Sequence, residues 1–179
     1  MQPHTIILLP GYTNSGPEHW QSLWEKEHPN FLRVQQKDWD NPECTLWVDT
    51  LEATLQTVKS PVILVGHSCG SLMIIHWANR YHNQLVKGAL IVAPADPDSN
   101  SFPSAAIGFS PLPQNALPFK SIVVCSSNDL YLSVTKASHY AKAWGSELVN
   151  IGDHGHINTA AGLGDWPQGK NLLNQLKKR

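Results

Sequence analysis

Cysteine is scarce in this chain: the 179 residues hold three, Cys44, Cys69 and Cys125, with no Cys-x-x-Cys spacing, each in or beside an apolar segment. That pattern argues against a disulfide framework or a cysteine-built metal site and reads as reduced thiols in a cytoplasmic protein. An excess of one charge is also missing, with 13 Lys and Arg against 14 Asp and Glu for a formal net charge of −1. The basic residues are scattered apart from Lys177-Lys178-Arg179, which reads as a solvated helix end, so no footprint for nucleic acid or an anionic membrane is expected. No apolar run reaches membrane-spanning length, and Met1-Gln2-Pro3-His4 lacks the basic start of a signal peptide. Repeats, linkers and low-complexity tracts are absent as well. What remains is a chain 41% apolar and 15% charged, the composition of one globular domain over residues 1–179.

Six short apolar or β-branched runs, at 5–9, 32–35, 62–65, 88–93, 121–125 and 147–151, alternate with helical patterns. Helices are expected over about 18–27, 71–81, 134–144 and 168–177, and another begins near Asn41-Pro42, where Trp47, Val48, Leu51, Leu55 and Val58 recur at helical spacing. This alternation predicts a parallel α/β sheet between two helical layers, with strand order 2-1-3-4-5-6 placing strands one and three together at the switch point. The exception is 94–118, which carries six prolines and little periodicity. A loop that long is a candidate lid or substrate wall.

The richest local signal is Gly66-His67-Ser68-Cys69-Gly70, directly after the apolar run Val62 to Val65 and before the apolar segment from Leu72. Strand, sharp turn and helix are what a nucleophile elbow requires, with small flanking residues so that Ser68 projects its hydroxyl. A nucleophilic serine needs a base, an acid that orients the base, and backbone donors for the oxyanion. Asp129, just beyond the fifth strand, and His156, just beyond the sixth, follow Ser68 in the required order and lie on the same sheet edge. His154 as base, and Asp96 or Asp98 as acid, stay open as alternatives. His67, His76, His82 and His139 read as structural or exposed. Asp153-His154-Gly155-His156 has no second cluster of ligands to complete a metal site, so neither metal nor cofactor is expected. The oxyanion donors expected are the amides of Cys69 and of Tyr12, which follows the turn Pro10-Gly11. Of the seven tryptophans, Trp20, Trp39 and Trp166 stand beside strand-end loops and are candidates for an apolar pocket wall.

The chain resembles the small serine hydrolases that include retinoblastoma-binding protein nine and the bacterial YdeN-like proteins. The resemblance spans nearly the whole chain: Pro10-Gly11-Tyr12 leading to His19-Trp20-Gln21, Asp38-Trp39 with Pro42, the elbow from Val65, Val92-Ala93-Pro94, Ser126-Ser127-Asn128-Asp129, Gly155-His156-Ile157-Asn158, and the ending Gly162-Leu163-Gly164-Asp165-Trp166-Pro167. It implies a compact α/β-hydrolase fold lacking the usual first two strands, with a triad of Ser68, Asp129 and His156. Asn128 stands where the family commonly has a second acidic residue. The Leu-x-Cys-x-Glu motif proposed for retinoblastoma binding is absent, so that partner is not carried over. The expected activity is cofactor-free cleavage of a small carboxylic ester or related acyl compound. A fold-retaining binding protein without turnover, or a small amidase or peptidase, are the competing readings.

Overall fold

The computed structural model describes residues 3–178. Six parallel strands, β1 (Thr5–Leu9), β2 (Phe31–Arg33), β3 (Val62–His67), β4 (Val86–Val92), β5 (Lys120–Cys125) and β6 (Glu147–Asn150), form one sheet in the order β2-β1-β3-β4-β5-β6. The helices are α1 (Trp20–Glu27), α2 (Cys44–Thr57), α3 (Cys69–Arg80), α4 (Val134–Trp144) and α5 (Pro167–Lys178). Strand side chains alternate between two cores, as a period of two dictates. Ile7, Leu64, Ala89, Ile91 and Val123 join Leu51, Met73 and Tyr140 of α2, α3 and α4 on one face. Ile6, Leu8, Val65, Leu90 and Val124 join Trp20, Trp24 and Leu173 of α1 and α5 on the other. Right-handed crossovers account for the split: the chain first steps from β1 outward to β2, then reverses across β1 to β3, and the reversal moves the connecting helix to the opposite face. Among the described residues no helix is long and apolar enough to cross a membrane.

Two boundaries differ from the sequence reading in ways that concern the site. Helix α1 starts at Trp20 rather than near residue 18 because His19 takes an extended conformation (φ −74°, ψ 140°) and caps it, its Nδ1 accepting from the Gln21 amide at 3.2 Å. Helix α3 starts at Cys69, before residue 71, because the chain turns through Ser68 alone.

Candidate active site

The turn at Ser68 is tight because its backbone stands at φ 54°, ψ −123°, a conformation that costs a non-glycine residue about 1–3 kcal/mol. Neighbouring bonds hold it there. The Ser68 amide donates to Val92 O at 3.1 Å, and the Ser71 hydroxyl donates to the same oxygen at 2.9 Å. Gly70 lets α3 approach the end of β1, since a Cβ there would overlap the Leu9 carbonyl and lie 2.6 Å from Pro10 O. At Gly11 a Cβ would come within 2.9 Å of the Ser68 Cβ. These two contacts bring the loop after β1 onto the elbow.

Ser68 Oγ lies 2.8 Å from His156 Nε2, and His156 Nδ1 lies 2.9 and 3.0 Å from the two Asp129 oxygens. Because a carboxylate only accepts, Nδ1 carries the imidazole proton and Nε2 is left to accept from the serine hydroxyl. The Asp129 side chain is 1% exposed, and its Oδ1 also accepts from the Tyr131 amide at 2.9 Å. The loop carrying His156 is stapled to the end of β5. The amide of His154 donates to Ser126 Oγ at 2.9 Å, and that of Gly155 to Asn128 Oδ1 at 2.7 Å. Asn128 thus supplies an acceptor oxygen that an acidic residue at this position would also offer.

The other candidates stand apart from this chain of bonds. Asp96 accepts from Tyr140 OH at 3.0 Å and faces Lys136 Nζ at 3.4 Å; Asp98 accepts from Ser110 Oγ. His76 bonds to Phe109 O at 3.0 Å, while Asp153 is exposed. Cys69 opens α3, where first-turn amides lack intrahelical acceptors. Its buried thiol is pushed up to about 11 by desolvation. A Cβ at Gly11 would lie 3.3 Å from the Cys69 amide nitrogen, so the turn that leads into Tyr12 lies against that amide.

Sequence reasoning missed how His156 is held from behind. His67 is buried, and its Nε2 donates to the backbone oxygen of His156 at 2.8 Å. Trp20 Nε1 donates to the next carbonyl, Ile157 O, at 2.9 Å. His67 packs edge-on against His19 at 4.8 Å, and burial keeps both rings hard to protonate, helped at His67 by the His19 and His156 imidazoles and at His19, lowered to about 4, by Arg33 and His156. The loop after β1 has its own anchor. Arg33 donates to Asn14 Oδ1 at 2.9 Å and Ser15 O at 3.0 Å, and pairs with Glu25 at 2.7 Å. It steadies a segment in which Thr13 and Asn14 both adopt left-handed backbone, at φ 62° and 66°. Neither clamp has a motif, because each ends on a loop backbone whose position the sequence does not encode locally.

A cavity of about 570 Å³ opens over Ser68, lined by Tyr12, Thr13, His67, Tyr131, His156 and Asn158 among others; from 94–118 it takes Ala95 and Pro103. The three tryptophans expected as walls are not among its lining residues. Trp20 and Trp166 are buried against each other at 4.9 Å in the α1–α5 core, and Trp39 packs on Trp47 at 5.5 Å.

Comparison with solved structures places the chain beside a Pectobacterium atrosepticum protein described as YdeN-like, with 34% identity, coverage of 97% of this chain and 90% of that one, and a TM-score of 0.86. The ydeN gene product of B. subtilis shares 17% identity over 99% of this chain and 100% of its own, with a TM-score of 0.81. Est1E of Butyrivibrio proteoclasticus shares 14% over 98% and 89%, with a TM-score of 0.70. At those identities the last two show a common fold. No curated protein matches. The model of the serine hydrolase family matches residues 6–175, and with the elbow, the all-parallel sheet and the Pectobacterium likeness, the chain belongs to the serine hydrolase family.

Proposed function

We propose that the protein cleaves a small carboxylic ester or related acyl compound through an acyl-enzyme on Ser68. The observation that carries this reading is the unbroken run of hydrogen bonds from Ser68 Oγ through His156 to Asp129. As Oγ attacks the carbonyl carbon, its proton passes to His156 Nε2, and Asp129 stabilises the imidazolium through Nδ1–H. The carbonyl oxygen becomes an oxyanion held by the Tyr12 and Cys69 amides, assisted by the positive end of α3. Collapse of the tetrahedral species breaks the bond to the leaving oxygen, which takes the proton from Nε2. Water then repeats the sequence on the acyl-enzyme, releasing the acid and restoring Ser68. Every group in this cycle belongs to the chain or to water. The cavity of about 570 Å³ over Ser68 is of the size that takes a small-molecule substrate.

A fluorophosphonate probe tests the assignment. Wild type should be labelled and Ser68→Ala should not, with hydrolysis of a short ester lost in parallel. Equal labelling of both, with the adduct mapped to another residue, would remove Ser68 from the mechanism.

A further inference from the structure

The cavity over Ser68 adjoins a second concavity of about 460 Å³. Tyr131, His156, Asn158 and Ala160 line both, whereas Ser68 lines only the first and Leu130, Asp153 and His154 only the second. His156 therefore stands on the ridge between them. Leu130 is 85% exposed, against 56% for Ile107, the next most exposed large apolar side chain among the described residues. An apolar group left in water to that extent contributes no core packing. Its backbone is nonetheless fixed on both sides: Ser101 Oγ donates to Leu130 O at 3.1 Å, and the Tyr131 amide donates to Asp129 Oδ1 at 2.9 Å. The Tyr131 ring, 4.5 Å from the His156 ring, gives the ridge an aromatic face.

Proton transfer decides which half of a substrate faces this side. The leaving oxygen collects its proton from His156, so the group attached to it departs past the imidazole, while the acyl group stays over Ser68 beside the Tyr12 loop. We propose that the concavity at Leu130 is a leaving-group subsite that takes an alcohol with an apolar body, aryl or branched alkyl, laid against Leu130 and the Tyr131 ring. The Asp153 carboxylate on its wall selects against alcohols that carry a carboxylate or phosphate. This inference rests on the Ser68 reaction proposed above and names the alcohol half of its substrate.

The test uses acetate esters that share one acyl group and differ only in the alcohol: methyl, benzyl and 4-carboxybenzyl. Methanol and benzyl alcohol have nearly equal acidity, so intrinsic reactivity does not separate them. Wild type should favour benzyl over methyl by about tenfold in kcat/KM, the scale of one apolar contact in a partly open site, and should disfavour 4-carboxybenzyl relative to benzyl. Leu130→Asn should reduce the benzyl-to-methyl ratio to about twofold. Fluorophosphonate labelling is run on both proteins. If Ser68 is labelled and the ratio is absent in wild type or unmoved by Leu130→Asn, the subsite is wrong and the Ser68 reaction stands; if Ser68 is not labelled in either protein, the reaction itself is overturned. The carboxybenzyl arm reads the subsite in wild type alone, independently of the variant.

Discussion

The two edges of the sheet differ more in backbone conformation than in shape. Each has a concavity of similar size, about 570 Å³ over Ser68 and about 490 Å³ at the opposite edge among Lys87, Lys120 and Lys177. At the carboxyl edge the chain leaves its strands through left-handed non-glycine residues: Thr13 and Asn14 after β1, Ser68 after β3, Ala93 after β4 and Ile157 after β6. Among the described residues, the loops that run from a helix into β2, β3, β4 and β6 at the amino edge hold one positive φ, at Gly145, where a glycine tolerates it. Those entries are closed by ordinary backbone bonds, such as the Thr5 amide to Pro61 O at 2.8 Å and Val62 to Leu85 O at 2.8 Å. Volume alone does not distinguish the edge that carries Ser68. Stored backbone strain, coupled to hydrogen-bonded titratable side chains, does.

The sharpest way to break this contrast is at the acid. Asp129→Asn leaves the geometry but gives the imidazole the wrong tautomer, and kcat on a short ester should fall by about 10⁴ with the circular dichroism spectrum retained. Asp153→Asn, in the base's own loop but exposed, should cost about tenfold or less. A reversal of the two losses would transfer the orienting role to Asp153. Next come two glycines, one at each edge. Gly70→Ala drives a methyl into the Leu9 carbonyl and should destabilise the fold by about 3 kcal/mol in urea unfolding. Gly145→Ala meets open space and strains only its φ of 67°, costing about 1 kcal/mol. Equal losses would mean that the close approach of α3 to β1 is not under tension.

The third contrast concerns His67 and is the smallest in rate. His67→Leu removes the donor to the His156 carbonyl and should lower kcat about tenfold to a hundredfold, whereas His67→Gln, which can still donate, should recover most of it. The pH dependence of stability provides a second readout. Burial lowers the pKa of His67 below its unfolded value, so the unfolded chain binds the extra proton first and stability falls as pH drops below about 6.5. His67→Gln should make urea-unfolding stability less steep over that range. An unchanged slope would show that His67 does not contribute to it.

The fold was legible in the chain because its strands are short apolar runs separated by helix-length patterns, and their alternation fixes a parallel sheet. Ser68, Asp129 and His156 stood out because each follows a different strand at its carboxyl end, in an order a known chemistry uses. The tryptophans were harder. Their position beside strand-end loops suggested a pocket, but an indole turned by the packing of α1 on α5 buries itself, and Trp20, Trp24 and Trp166 form one aromatic group in that layer. Arg33 and His67 carried no signal because the loop groups they hold are carbonyls and an asparagine, acceptors common to every chain. Leu130 was equally silent, since an apolar residue in a loop reads as incidental until its exposure is known.

The tripeptide Gly66-His67-Ser68 has a dual attachment: one residue offers the hydroxyl and its neighbour grips the backbone of the partner imidazole. Ser68 and the loop that carries His156 therefore share one direct tie besides the Ser68–His156 bond itself. A small displacement of the elbow carries the base loop with it through the His67 bond, so the Ser68 to His156 separation is insulated from motions that shift the two together. Motions that part β3 from the loop after β6 must first break the bond that His67 makes.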